Sequence, residues 1–331
     1  MGFERIKGQE TAVERLRAVI AHGRVPSAML FLGPHGVGKG TVALELAKAL
    51  NCLEAPGEGC GACPSCRKIA AGVHGDMDTI APDGQFIKID QVRALADRLA
   101  LIPFDARKRV IVLREAERLN PAAANAFLKT LEEPPEDTLL VLTATSASLL
   151  PETIVSRCMP LRFVPLGAET VRAILVEEGK LSEAELDFAV RHSQGRIRAE
   201  LLRGAGRLMV LRDELLHALE AMDRLTFDRV SEHVQKWSGA DEWAFVLECM
   251  ETWYHDLGLL GAGGPEERLV NGDRAEALRR WGRRVPPARA EACYREVLSA
   301  RDGMLLNVNR PLALESLWIS LRQIALQPEY P

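Results

Sequence analysis

At 331 residues the chain is longer than a single hydrophobic core usually grows, which predicts two or three domains. With 47% hydrophobic and 27% charged residues and a formal net charge of -4, it is neither a disordered segment nor a strongly basic nucleic-acid binder, so any DNA contact has to be local or shared with partners. The opening MGFERIKGQE lacks the apolar core of a secretory signal and no apolar run approaches membrane-spanning length, which makes a cytoplasmic protein the expectation.

The first periodic stretch, Glu10 to Ala21, is amphipathic and reads as a helix. It leads into AMLFLG, a short apolar run ending on the glycine-rich GPHGVGKGT (Gly33 to Thr41), after which TVALELAKAL has helical spacing. Strand, loop and helix in that order are the context a phosphate-binding loop requires. KRVIVL (Lys108 to Leu113) and TLLVLTA (Thr138 to Ala144) have the length and β-branched content of buried parallel strands. Between them NPAAANAFLKTLEEPP reads as a helix with Asn120 as N-cap, Pro121 in its first position and Pro134-Pro135 as its stop. Strands alternating with helices predict a parallel sheet covered on both faces. From Ala168 onward the patterns are helical, broken at GAGG (Gly261 to Gly264) and VPPA (Val285 to Ala288). All five tryptophans fall in this later part, which predicts a separate α-helical domain with its own core.

In a phosphate loop the glycines turn successive backbone N–H groups toward the anion, the lysine adds a point charge, and the following helix contributes its positive end. Gly33, Gly36, Gly38, Lys39, Gly40 and Thr41 are the corresponding set, and with the lysine in place nucleotide binding outweighs a purely structural turn. The hydroxyl that ordinarily ligates magnesium after the lysine is missing at Gly40, and Thr41 comes one residue too late to replace it. A neighbouring strand should end in a carboxylate that holds the metal through water. In VIVLREAERL that position is Arg114, followed by Glu115, which is either the water-orienting carboxylate or a solvated surface group. Two magnesium-handling groups are therefore lost, which predicts poor magnesium binding and weak or absent hydrolysis.

Seven cysteines in a reducing compartment argue against a disulfide framework. Cys52, Cys60, Cys63 and Cys66 crowd into NCLEAPGEGCGACPSCRK, where C-x-x-C spacing lets one turn of backbone present two sulfurs to one ion. Four thiolates predict a closed, structural zinc site, while Cys158, Cys249 and Cys293 are scattered and read as buried. In TIVSRCMP, Arg157 is either a surface salt-bridge partner or a finger reaching a phosphate bound elsewhere.

In this order, GQETAVERLRAVI, FLGPHGVGKGT, the cysteine cluster, NPAAANAFLKTLEEPPEDT and IVSRC resemble the bacterial clamp-loader family of AAA+ proteins, from Phe3 to about Leu202, with a weaker match in the helical remainder. Members of that family load the sliding clamp of DNA polymerase III onto primed DNA. The resemblance implies an α/β fold: an AAA+ P-loop domain with a parallel sheet over 1–164 carrying an inserted zinc module at about 52–66, a small helical lid over 165–203, and an α-helical collar over 204–331 that assembles subunits into a pentameric ring. It makes Arg157 an arginine finger acting in trans, and places the two sensor positions on Thr145 and, in GRIRAELL, Arg198. Within the family the losses at Gly40 and Arg114, together with GQFIKIDQVRALADRLALIPFDARKRVIVLREAERLNPAAANAFLK, favour the delta-prime branch over the ATP-hydrolysing gamma/tau branch. The implied partners are gamma/tau and delta subunits, with clamp and DNA met through the complex and no membrane. The implied cofactors are zinc and ATP or ADP, with magnesium poorly held. The tryptophans and LNVNRPLALESLWISLRQ read as core and collar packing. An active motor ATPase, a stator without nucleotide, and, least in keeping with NAFLKTLEEPP and SRC, a small-molecule kinase with a GKGT loop are the competing readings.

Overall fold

A computed structural model describes residues 2–102, 106–179, 181–239, 242–303 and 309–326; residues 103–105 and 304–308, which fall inside two of the stretches quoted above, lie outside it. The chain divides into two compact units, Met1–Gly179 with Ser193–Arg198, and Lys180–His192 with Ala199–Pro331.

The first unit runs α1 (Glu10–Ala21), β1 (Ala28–Leu32), α2 (Lys39–Asn51), α3 (Pro64–Ala70), β2 (Met77–Ile80), α4 (Ile89–Leu99), β3 (Arg109–Leu113), α5 (Pro121–Glu132), β4 (Thr138–Ala144), α6 (Glu152–Val155), β5 (Met159–Arg162) and α7 (Ala168–Glu178). Its sheet has the order β2-β3-β4-β1-β5, and every pairing is parallel. The central strands are apolar without alternation because both faces are covered. Residues next to each other in β1 illustrate this: Leu30 packs with Ile111, Leu140, Leu95 of α4 and Phe127 of α5, whereas Met29 and Phe31 pack with Val110, Leu139, Leu16 of α1 and Leu46 of α2. Burying each such side chain contributes on the order of 1.5–3 kcal/mol. α5 starts as its sequence predicts, with the Asn120 side chain accepting a hydrogen bond from the Ala123 N–H at 2.7 Å and Pro121 in the first helical position.

Beyond the three strands legible in the sequence, the structure has two edge strands, β2 (MDTI) and β5 (MPLR). Both are partly exposed and short, and β5 contains Pro160, a residue that sheets accept at an edge, where its missing N–H costs no ladder bond.

A parallel sheet gathers the C-terminal ends of its strands along one edge and their N-terminal ends along the other. Residues following β1, β3 and β4 therefore share one edge, and the residue preceding β5 stands at the opposite one.

The second unit comprises α8 (Glu183–Ser193), α9 (Ala199–Glu220), α10 (Phe227–Trp237), α11 (Trp243–Gly261), α12 (Ala275–Gly282), α13 (Pro287–Gly303) and α14 (Arg310–Leu326). α11 packs against α9, α12 and α13, and α14 against α10 and α13. Trp237, Trp253, Trp281 and Trp318 are buried, with the rings of Trp237 and Trp318 5.7 Å apart, so these tryptophans are core. Among the described residues no helix is long and apolar enough to cross a membrane.

Candidate nucleotide and metal sites

The chain leaves β1 at Gly33 and enters α2 at Lys39, and the intervening backbone takes the positive φ angles that a phosphate cradle needs, 79° at Gly36 and 98° at Gly38. Glycine is required at Gly36 for a second reason, since a Cβ there would come within 2.8 Å of the Ile197 carbonyl oxygen. The Ile197 N–H donates to the Gly36 carbonyl at 2.8 Å, so the segment Ser193–Arg198 backs the loop.

Gln9 fastens the loop from the other side. Buried, it donates through Nε2 to the carbonyls of Val37 at 3.1 Å and Val164 at 2.7 Å, and accepts from the Val164 N–H at 3.2 Å. Sequence reasoning did not single out Gln9, although it lies in the GQE stretch, because a lone buried polar residue carries no periodic signal.

Around the loop opens a cleft of about 1000 Å³. His35, Gly36, Gly38, Lys39, Gly40 and Thr41 line it, with Arg114, Glu115 and Thr143 from the ends of β3 and β4, and apolar Ile6, Leu166 and Ile174 from the flanking segments. Lys39 is buried, and its Nζ donates to the carbonyls of Gly33 and Pro34, the latter at 2.7 Å. Burial lowers its pKa, against the opposing pull of Glu117 and Glu115. The lysine charge thus rests on the loop's own carbonyls, an arrangement that an incoming phosphate oxygen can replace.

Glu115 has a left-handed backbone (φ 53°), donates its N–H to Thr143 Oγ1 at 3.2 Å, and pairs with Arg118 at 2.9 Å. Thr145 makes both of its donations, from N–H at 3.0 Å and from Oγ1 at 2.8 Å, to Glu117, a carboxylate missed in the sequence. Arg198 is half-buried, and its neighbour Ile197 is the residue of that stretch that lines the cleft. Magnesium does not fit this cleft as it fits a hydrolysing one: Gly40 offers no hydroxyl and a permanently charged Arg114 stands where a carboxylate would hold the cation.

Arg157 follows α6 and precedes β5. It is exposed, donating to the Thr153 carbonyl at 2.9 Å and to Glu132 Oε1 at 2.7 Å. β1 and β5 pair in parallel from Met29 with Met159 to Leu32 with Arg162. Arg157 therefore comes two residues before a strand start, Met159, that lies roughly 13 Å along the strand direction from Gly33, at about 3.3 Å per residue. The structure brings Arg114, Glu115 and Lys39 to one edge of the sheet and sets Arg157 at the other.

The cysteine cluster sits between α2 and α3. Cys52 follows the last residue of α2, positive-φ glycines at Gly57, Gly59 and Gly61 turn the chain back, and Cys63 caps α3 by accepting from the Cys66 N–H. The four sulfurs all lie within 4.8 Å of one another, and those of Cys52 and Cys63 are 3.9 Å apart. Four sulfurs at about 2.3 Å from one tetrahedral zinc would be about 3.8 Å apart. Burial opposes ionisation of Cys52, but the N–H groups of Cys60 and Ala55 outweigh it and bring the thiol to about 6, whereas burial pushes Cys66 up to about 12. Thiolates packed this closely repel, and a divalent cation relieves that repulsion. The donor set and spacing fit zinc, held by Cys52, Cys60, Cys63 and Cys66; with all four positions filled by protein such an ion supplies rigidity rather than reactivity.

Residues 8–167 match the protein family described as DNA polymerase III, delta subunit. The chain is 36% identical over 51% of its length to DNA polymerase III subunit delta-prime of Bacillus subtilis, covering 52% of that protein. It is 29% identical over 99% of its length to DNA polymerase III subunit tau of Escherichia coli, covering 54% of that protein. The chain thus spans about half the length of these relatives. Among solved structures it is similar to a DNA polymerase III gamma subunit-related protein of Thermotoga maritima, at 19% identity with a TM-score of 0.47, covering 95% of this chain and 99% of the other. Residues 8–167 thus match the model of the DNA polymerase III delta-subunit family, and the chain is similar in sequence to the delta-prime and tau subunits of that polymerase.

Proposed function

We propose that this chain is a delta-prime-type subunit of a DNA polymerase III clamp loader, one that contributes Arg157 to ATP held by a neighbouring gamma/tau-type subunit and hydrolyses little or none itself. The observation that carries the reading is the intact phosphate cradle lined by Arg114 and Gly40, where magnesium chemistry needs a carboxylate and a hydroxyl. The place of Arg157 supports it: an arginine at the edge of the sheet away from its own loop is poorly placed for a phosphate held there and is open to one on another chain. On this reading residues 1–164 are the nucleotide-binding-type domain, 165–203 the lid and 204–331 the collar that joins gamma/tau and delta subunits in a ring around primed DNA and the sliding clamp. Zinc braces the module at 52–66, ATP or ADP occupies the cleft, and Thr145 and Arg198 take the sensor positions.

A motor subunit of gamma/tau type is the second reading, favoured by the match to Escherichia coli tau over 99% of this chain. Reconstitution separates the two. The purified chain alone should show no ATP turnover, and, mixed with gamma/tau and delta subunits, clamp and primed DNA, it should enter a complex whose DNA-stimulated ATPase survives Lys39→Ala in this chain. Turnover by the isolated chain, abolished by Lys39→Ala, would establish the motor reading instead.

A further inference from the structure

The cleft differs from a magnesium-nucleotide site by what has been added as well as by what has been lost. Arg114 immediately follows β3, lines the cleft and is exposed. Its backbone N–H donates to the Ile80 carbonyl at 2.8 Å, but its guanidinium makes no hydrogen bond or ion pair among the described residues. The carboxylates nearby are engaged: Glu115 with Arg118 at 2.9 Å, Glu117 with Thr145 at 2.8 Å, and Glu45 with Lys48 at 2.7 Å. Among the described residues the four cysteines are the one group of three or more His, Cys, Asp or Glu side chains gathered closely enough to hold a metal, so the cleft contains no such group. The missing hydroxyl leaves open space, since a Cβ on Gly40 would meet nothing within 4 Å.

We propose that the cleft binds nucleoside di- or triphosphate free of magnesium, with the Arg114 guanidinium taking the place of the cation. This rests on the reading of the cleft as a nucleotide site. A phosphate chain needs its charge countered where two of its groups meet the protein, and a guanidinium does this with a planar fork of donors that grips two oxygens at once. Lys39 approaches from the loop and Arg114 from the end of β3, so the anion is held from two sides without a metal. A hydrated divalent cation at the same place would face a like charge that cannot lose its proton. Arg114 is therefore a specificity-determining residue: it turns a site for the magnesium complex into one for the bare nucleotide.

The test is equilibrium binding of fluorescent ADP and ATP analogues to the full chain, in excess magnesium and in EDTA. Wild type should bind as tightly or more tightly in EDTA, and Lys39→Ala should abolish the signal in both buffers. Arg114→Ala, at an exposed position that leaves the melting temperature in place, should weaken binding in EDTA ~10-fold or more, the worth of a charge-assisted hydrogen bond. The double variant Gly40→Ser with Arg114→Asp, whose new side chains meet open space and solvent, should reverse the preference and bind only when magnesium is present. Wild-type affinity that falls tenfold on removal of magnesium, or Arg114→Ala binding like wild type in EDTA, would overturn the proposal and leave the nucleotide reading standing. No binding in either buffer would overturn both.

Discussion

Arg157→Ala separates a surface contact from a functional one by magnitude. Within the chain Arg157 contributes one ion pair to Glu132 at 2.7 Å, with side chains 36% and 49% exposed, and a hydrogen bond to the Thr153 carbonyl at 2.9 Å. An exposed pair of that kind is worth roughly 0.2–1 kcal/mol, which for a unit of this size moves the melting temperature by about 2–4 °C at most. An arginine finger is worth about 10³–10⁵ in rate at the site it serves, or roughly 4–7 kcal/mol of transition-state stabilisation. The finger term therefore exceeds the stability term several-fold, and the neighbouring ATP site should fall silent while the chain stays folded and assembled. The assay is a single-turnover burst of the reconstituted loader with primed DNA and clamp, with assembly verified by mass measurement on the same sample. The burst should lose the amplitude of the site next to this subunit. Glu132→Ala is the control, since it breaks the same ion pair and frees the guanidinium, and the burst should be intact. Arg157→Lys keeps the charge but not the fork, and should rescue little. An assembled Arg157→Ala complex whose burst equals that of wild type would refute the in-trans role and leave Arg157 as a salt-bridge partner of Glu132.

Elemental analysis should find zinc at one ion per chain, and Cys60→Ser with Cys63→Ser should abolish it; protein purified without chelators that contains no zinc would refute the closed tetrathiolate site. Gln9→Ala strands the carbonyls of Val37 and Val164 and the N–H of Val164 in a buried place, which at about 1–3 kcal/mol for a stranded group predicts a loss of about 2–4 kcal/mol in urea unfolding. The same variant should weaken nucleotide binding, because Val37 lies within the loop; unchanged stability would show that water satisfies those groups.

What the sequence made legible follows from where each element's signal lies. The central strands and α5 were readable because burial on both faces demands unbroken apolar runs and because Asn120-Pro121 is a local start signal. β2 and β5 were not, since an edge strand pairs on one side only and tolerates Asp78, Thr79 and Pro160. The loop and the cysteine cluster were readable because their chemistry is held in a few consecutive residues. Gln9 and Glu117 were not, because their roles exist only after residues far apart in the chain meet: Gln9 with Val164, and Glu117 with Thr145. Arg114 was read as an absence of magnesium chemistry; its position on the cleft wall makes it a presence as well.

The geometry also bears on why a loop without the magnesium-handling groups would keep its form. Gly36 is pinned against Ile197, and Val37 is tied through Gln9 to Val164, which lies just past the end of β5. Arg157 stands two residues before that same strand, whose register with β1 is fixed from Met29 to Leu32. On the proposed reading, one short edge strand connects the place where this chain holds its own nucleotide to the place where it reaches another's. Sheet interiors are close-packed and resist graded deformation, so the folded loop, with or without a bound phosphate, is part of the frame that aims Arg157. On that reading, retention of the cradle without the magnesium groups is physically consistent: the loop supplies rigidity to the finger, and the chemistry is left to the neighbour.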